Sequence, residues 1–542
     1  MKSKKIIGLL LVLSMMTSLV MTGCLSNKGT TAKPGEGNSK DDNFNASGYP
    51  IVKQKITFKI MLPGVETDLN QVKAYQDLEQ KTNIHIEWDT PTYNQMEEKA
   101  QLMFASGNFV DAIGGWVLSD LDVTKYGPMG VMLPLEDLID KYAPNVKKSF
   151  EDYPDAKAML TLPDGHIYTL PIIGKQPPTR ATTSINKVWL QKLGKPIPKT
   201  TDELYEVLKL FKTSDPNGNG KADEIPLSFI YNGGNNNDNY GMFGWFGIMD
   251  PSSHLIQLNK KVVWAPAQDG WKDAIRFFAK LWKEGLLDKE VFTHDGNQYQ
   301  AKIKSDTEIF GVYSNWNPDG PGENGWKDYA YLPPLQSPNG LKPAWPNGDP
   351  WLFPVQAAIL SSANKDGKDA RALMRWIDEI YLVGTLKDGP AYRTNGPEGT
   401  GWERTPEGKI KYLDSSKKEP NWQKLWGGLP GWAWYSEFKL WENSERDEGG
   451  IMKDFTSGEV YGPYQGQQIP FTWLAPEKGN EASQYLTDLR KLTAETVARW
   501  ISGQGDIDKE FDKYMEDCKK MGLDNLIKIR QEALDNYYKN KK

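Results

Sequence analysis

The chain has 542 residues, with 65 basic against 71 acidic side chains, two cysteines, four histidines, and 39% hydrophobic and 11% aromatic residues. A net charge of −6 argues against a nucleic-acid partner, because affinity for phosphate backbones is carried by an excess of Lys and Arg. Cys24 and Cys518 allow no disulfide framework or thiolate metal site. His85, His166, His254 and His294 stand without ligand spacing, which speaks against zinc or histidine-based catalysis.

Residues 1–23 carry Lys2, Lys4 and Lys5, then an apolar run to Val20, then small residues before Cys24. A basic head, an apolar stretch and a small-residue processing point make a secretory signal. The ending Met21-Thr22-Gly23-Cys24 resembles the lipobox of bacterial lipoproteins, which implies that Cys24 receives a lipid and becomes the mature N-terminus. Removing the signal takes away three lysines and no acid, leaving 62 basic and 71 acidic residues and a net charge of −9. Residues 24–50 are rich in Gly, Ser, Asn, Thr and Lys and bury too little apolar surface to offset their ordering entropy, so they read as a flexible tether. No later segment approaches the roughly 18 apolar residues that a spanning helix needs. The remaining roughly 490 residues exceed one core and predict at least two lobes.

"KITFKIML" (55–62) alternates apolar and polar residues and reads as a strand. A helix with Val72, Tyr75 and Leu78 on one face follows, and then a second alternating strand, "IHIEW" (84–88). This βαβ order predicts parallel pairing through a right-handed crossover. "PIPKTTDELYEVLKLFK" supplies a capping box, with Thr200 at the N-cap and Glu203 three residues on, and buries Leu204, Val207, Leu208 and Phe211. "EIPLSFI" (224–230) reads as a strand. "GWKDAIRFFAKLWKEGLLD" predicts a helix burying Trp271, Ala274, Ile275, Phe278 and Leu281, with Gly285 at its C-terminal end. From about residue 481 to 541 the chain is dominated by helices, one of which buries Cys518.

Between the helix that ends near Phe211 and the strand at 224 lies "DPNGNGKADEIPL" (215–227). Asp215, Asn217 and Asn219 match positions one, three and five of an EF-hand loop, Gly220 matches six, the Lys221 carbonyl seven, and Asp223 nine. Position twelve is Pro226 in place of Glu, and the acid has moved forward to Glu224. Oxygen donors at this spacing suit a hard cation such as calcium, in a compact structural site without the second helix of a sensor.

The chain holds 20 Trp, and several aromatics sit in polar, loop-like surroundings: Trp116, Tyr240, Trp245, Tyr313, Trp316, Trp351, Trp432 and Trp434. Indole faces beside Asn and Asp suit a sugar, whose C–H face packs on the ring while its hydroxyls bond the amides and carboxylates. Trp189, Trp271, Trp282, Trp376 and Trp500 fall in helical patterns and read as core.

Several segments resemble the family 1 extracellular sugar-binding lipoproteins of bacterial ABC importers: "ASGNFVDAIGGW", "DGHIYTLPI", "INKVWLQKLGKPIPKTTDEL", "DPNGNGKADEIPL", "KEGLLDKEVF", "ALMRWIDEIY" and the closing "DIDKEFDKYMEDCKKMGLDNLIKIRQEALDNYY". The resemblance runs from about residue 51 to the C-terminus. It implies an α/β, two-lobed periplasmic-binding-protein-like fold, each lobe a mainly parallel sheet flanked by helices, with a helical C-terminal region. The boundaries expected are an N-lobe of 51–175 and 305–365 and a C-lobe of 176–304 and 366–542.

The resemblance further implies a monomeric, non-enzymatic protein at the outer face of a cell membrane of Gram-positive type. It would capture an oligosaccharide between its lobes and pass it to an ABC permease, anchored to the bilayer through Cys24. In the alginate-oligosaccharide-binding branch the loop holds structural calcium, implying as ligands Asp215, Asn217, Asn219, the Lys221 carbonyl, Asp223 and Glu224. The expected sugar-stacking residues are Trp316 and Trp434, then Trp116, Trp245, Trp351 and Tyr240. Asp238, Asn315 and Asp349 are expected to bond hydroxyls, and Arg180 and Arg393 to face a carboxylate if the sugar is uronic. The alternatives are a tethered glycoside hydrolase or lyase using two carboxylates across the same groove, and a sugar-sensing lipoprotein.

Overall fold

A computed structural model of the chain describes residues 42–62, 68–115, 117–174, 182–231, 240–315, 318–322, 325–345, 351–381, 398–407, 410–413, 435–436, 459–464 and 466–541. Its strands, in chain order, are β1 (Ile56–Met61), β2 (Ile84–Asp89), β3 (Ala112–Gly114), β4 (Leu170–Gly174), β5 (Thr182–Asn186), β6 (Ile225–Ser228), β7 (Leu255–Leu258), β8 (Lys261–Trp264), β9 (Phe310–Asn315), β10 (Tyr329–Tyr331), β11 (Trp351–Ile359), β12 (Trp402–Arg404), β13 (Ile410–Tyr412) and β14 (Tyr435–Ser436). They form a six-stranded sheet of order β14-β4-β11-β3-β1-β2, a four-stranded sheet of order β10-β5-β9-β6, and two hairpins, β7-β8 and β12-β13.

The predicted βαβ unit is present. β1 and β2 pair in parallel, Ile56 opposite Ile84, through helix Lys73–Thr82, which buries Tyr75 and Leu78. The alternation of β1 places Ile56, Phe58 and Ile60 in the core of the first lobe. Helix Thr201–Thr213 carries the Thr200–Glu203 capping box and buries Leu204, Val207, Leu208 and Phe211. Helix Asp269–Lys283 buries all five predicted positions, and Gly285 follows it in the left-handed region at φ 69°. The chain closes on helices Pro476–Ser502, Ile507–Lys520 and Leu523–Asn540, with Cys518 fully buried.

Each sheet has one reversed strand, and connectivity explains which. In the first sheet β1, β2, β3, β4 and β14 share a direction, and among the described strands β11 alone opposes its neighbours. In the second, β6, β9 and β10 share a direction and β5 runs against them. The chain leaves the first sheet at Gly174, on its carboxyl edge, and the next strand begins at Thr182, level with the carboxyl end of β9. It returns from Trp345 to begin β11 at Trp351, level again with Gly174. A strand entered from the carboxyl edge must run inward, so β5 and β11 are antiparallel to the rest. The expected mainly parallel sheets therefore carry this exception.

The lobe boundaries expected from sequence need correction. Strands β9 and β10, within 305–345, belong to the second sheet, bonded to β5 and β6. Conversely, helix Ala370–Ile380 packs into the first core through Leu373, Trp376 and Ile377, so 366–381 belongs to the first lobe. Phe471 and Trp473 also pack on first-lobe residues such as Val117, Leu118 and Val123. Long-range pairing decides these assignments, and no local signal marks them.

Candidate functional site

In α/β sheets, ligands bind beyond the carboxyl ends of the strands, because loops there converge while the other edge is covered by returning connections. The carboxyl edge of the second sheet is built from Asn315 at the end of β9, Ser228 at the end of β6 and Thr182 at the start of β5. That of the first sheet is built from Met61, Gly114, Gly174 and the start of β11.

Most of the predicted sugar residues flank these strand ends in the chain, before or after them. Trp116 comes two positions after Gly114, Arg180 two before Thr182, and Trp316 directly after Asn315. Asp349 and Trp351 lead into and open β11, Asp238 and Tyr240 follow β6, and Trp434 directly precedes Tyr435, which pairs with Ile173 near the end of β4. Trp116, Trp316, Trp434, Asp238, Asp349, Arg180 and Arg393 lie outside the described residues, as do the side chains of Tyr240 and Trp351. Cys24 lies outside them too.

Two candidates have described side chains, and they differ. Asn315 is 7% exposed and its Oδ1 accepts a hydrogen bond from Gln300 Nε2 at 3.2 Å. Its carbonyl accepts from Thr182 Oγ1 at 2.9 Å, tying the ends of β9 and β5 together. Trp245, expected to stack on a sugar, is instead a core side chain. It is fully buried in the second-lobe cluster with Phe243, Phe246 and Trp271. The Gly-rich, Asn-rich stretch that precedes it disguised a short helix, Tyr240–Phe243, and the 3-10 turn Gly244–Phe246 that folds the indole inward. Tyr313 is buried likewise, its hydroxyl bonded to the Asp319 backbone.

At the opposite, amino edge of the second sheet lies the 215–224 loop. Asp215 has φ 44°, and Gly218 and Gly220 have φ 74° and 72°, so the chain coils tightly where two glycines permit it. Asp215 accepts from the backbone amides of Gly218, Asn219 and Gly220, at 3.0–3.1 Å. Asp223 accepts from the amide groups of Asn217 and Asn219. Burial pushes Asp223 up, but these two bonds, the charge of Lys221 and a backbone hydrogen bond together outweigh it and hold its carboxyl below the usual range. Glu224 is 4% exposed, its Oε1 has no partner, and burial first and then the charges of Asp223 and Asp215 push it up.

A buried, unpartnered carboxylate oxygen in a loop that carries two further acids is the kind of group a hard cation can satisfy. Here Asn217 and Asn219 turn their amide nitrogens toward Asp223, and among the described residues no three acidic, histidine or cysteine side chains converge as a metal group. Asn217 also reaches the Glu308 carbonyl at 3.3 Å, a neighbour that sequence distance concealed. A cavity of about 420 Å³ lined by Asp306, Glu308, Pro321, Gly325, Lys327 and Asp328 opens on this same edge. Burial, then Asp328 against a bond from Asn186, pushes Glu308 up to about 7. Among the described residues, none that lines this cavity is aromatic.

The model of the bacterial extracellular solute-binding proteins matches residues 64–377, more than half of the chain. The chain belongs to this family. The fructooligosaccharide ABC transporter substrate-binding protein FusA of Streptococcus pneumoniae is 33% identical over 546 residues, 97% of each chain. The structure of FusA in complex with kestose superposes with a TM-score of 0.72 over 90% of this chain and 100% of that one, and an EF-hand mutant of FusA has been solved with fructo-nystose. Lipoprotein LipO of Bacillus subtilis is 24% identical over 88% of this chain and 91% of its own. The alginate-binding protein AlgQ2, solved without calcium, is 22% identical with a TM-score of 0.65 over 90% of this chain and 100% of that one, a likeness of fold. The solute-binding family and its two-lobed α/β fold are thus those anticipated from the quoted motifs.

Proposed function

We propose that this solute-binding protein captures an oligosaccharide between its two lobes at the outer face of the cell membrane and delivers it to an ABC permease, held to the bilayer by a lipid on Cys24. The observation that carries the reading is that the loop aromatics and amides adjoin, in the chain, the carboxyl edges of both sheets, next to the segments that link the lobes. Trp316 and Trp434 supply stacking faces, and Trp116, Trp351 and Tyr240 are further candidates. Asn315, Asp238 and Asp349 bond hydroxyls. Arg180 and Arg393 would matter for a uronic sugar, but the net charge of the mature chain gives an anion no long-range attraction. The likeness to FusA, named for fructooligosaccharides and solved with kestose, favours a neutral ligand.

The loop Asp215–Glu224 is a calcium brace in this reading. Asp215, Asn217, Asn219, Asp223, Glu224 and the Lys221 carbonyl hold the ion, which neutralises clustered acids and pins the loop, away from the sugar. The Asn amides must turn their oxygens inward to do so.

The test is a thermal-shift and calorimetric screen of residues 25–542 against kestose, nystose and neutral and uronic plant and bacterial oligosaccharides, with product analysis of each hit. A raised melting temperature with intact sugar recovered supports capture. Shortened or unsaturated sugar means an enzyme and overturns it.

A further inference from the structure

Helix Leu523–Asn540 belongs to the second lobe. Its Leu526, Ile529, Leu534 and Tyr537 join that core, and Gln531 bonds the Val262 amide and the Lys260 carbonyl of the β7-β8 hairpin. The same helix also reaches the first lobe. Just past its end Lys541 pairs with Asp155 at 2.6 Å. Asp155 stands on helix Pro154–Leu160, which lies at the seam, with Ala156 and Leu160 in the first core and Met159 in the second. Nearer the middle of the helix, Arg530 lies in the field of Asp120. Asp120 opens helix Asp120–Tyr126, which the first lobe holds through Val123. Beside it the lobes already touch, since a Cβ on Gly479 of helix Pro476–Ser502 would lie 2.8 Å from Leu121 Cδ2.

The two charge contacts differ in state. Asp155 and Lys541 are bonded, whereas among the described residues Arg530 and Asp120 form no salt bridge. Arg530 is half-buried, and its Nε is enclosed without a partner. Burial pushes its guanidinium down, and the charge of Asp120 pushes it back. A guanidinium withdrawn from water without a partner is costly, and a carboxylate meeting its planar fork of donors removes that cost. The gap lies between lobes, so a relative motion of the lobes can close it. Asp120 comes six positions after Gly114, the carboxyl end of β3, and the helix of Arg530 is bonded to the hairpin built after the chain leaves β6. Both charges thus stand on the cleft side of their sheets, where closure shortens distances. Arg530 is eleven residues from Lys541, about 16 Å of helix, so a swing of about 15° about the bonded end moves it by about 4 Å.

We infer that the carboxyl-terminal helix is a pivoted latch: Asp155–Lys541 is its fixed end, and Arg530 meets Asp120 as the lobes close, favouring the closed form without touching the ligand. The inference rests on the sugar-capture reading and adds to it a pair that sets the closing equilibrium.

The experiment measures affinity for kestose, and for each sugar bound in the screen, in wild type, Asp120→Asn, Arg530→Met, the two combined, and Arg530→Lys. Melting temperature without ligand is followed in parallel. Asp120→Asn and Arg530→Met should each weaken binding about three- to ten-fold, because the closed form loses one charged contact. The double variant should bind no more weakly than either single one, since both remove the same pair. Arg530→Lys keeps the charge and should recover part of the loss. Arg530→Met should not lower the ligand-free melting temperature, because it removes an unpaired charge; a merely structural arginine would lower it. Wild-type affinity in both single variants, losses that add in the double, or tighter binding overturns the latch and leaves sugar capture standing. No sugar bound by wild type overturns both.

Discussion

Single side chains separate packing from recognition. Trp245 is buried among Phe243, Phe246 and Trp271, so Trp245→Ala should cost about 3–5 kcal/mol of stability, read as a lowered urea midpoint. Trp316→Ala and Trp434→Ala should instead weaken sugar binding by about 1–3 kcal/mol, as at other aromatic stacking platforms, and leave the ligand-free melting temperature in place. Isothermal calorimetry distinguishes them, and unchanged affinity in both would remove the assignment. Asp378 gives a pH dependence. It is 5% exposed and accepts from the Asn145 and Val146 amides, yet burial pushes it up to about 7 despite those bonds. An acid whose folded pKa lies above its unfolded value binds more protons when folded, so its contribution to stability falls as pH rises from about 4 to about 7. Asp378→Asn keeps an acceptor and should flatten that decline. Equal urea-midpoint slopes for both proteins between about pH 4.5 and 7.5 would contradict it.

Local elements were the most legible level. Thr200 and Glu203 announce a helix start because a hydroxyl and a carboxylate three residues apart satisfy two otherwise orphaned amides, and the structure shows both bonds. Thr200→Ala should cost about 1 kcal/mol, seen as a small drop in melting temperature. For the 215–224 loop, Asp215→Ala with Asp223→Ala should lower the melting temperature more in calcium than in chelator, where only the loop's own hydrogen bonds are lost. An equal loss in both conditions would end the metal reading. The segment around Trp245 misled because Gly and Asn usually mark loops, whereas Gly244 is present for close packing. A Cβ there would lie 1.8 Å from the Ala344 carbonyl oxygen, so Gly244→Ala should destabilise by about 1–3 kcal/mol.

Attachment and hinge motion are properties of the whole molecule. Cys24→Ser should move the protein from the membrane fraction to the medium, and retention would contradict the lipid anchor. Sugar binding should draw the lobes together as hinge closure, seen as a smaller radius of gyration in solution scattering. An unchanged radius with bound sugar would contradict capture between lobes.

Apolar periodicity and motif spacing were enough to read the helices and strands whose pattern is strong, the oxygen-donor spacing of the 215–224 loop, and the family through motifs spread along the chain. These are readable because backbone hydrogen bonding, capping and ion coordination act over a few residues. Long-range packing was needed to place β9 and β10 with β5, helix Ala370–Ile380 with β1, β5 and β11 against the direction of their sheets, and Trp245 in the core. Each of these depends on residues distant in sequence being brought together. The free energy of such contacts comes from which surfaces are buried against each other, and neither periodicity nor spacing along one chain encodes that.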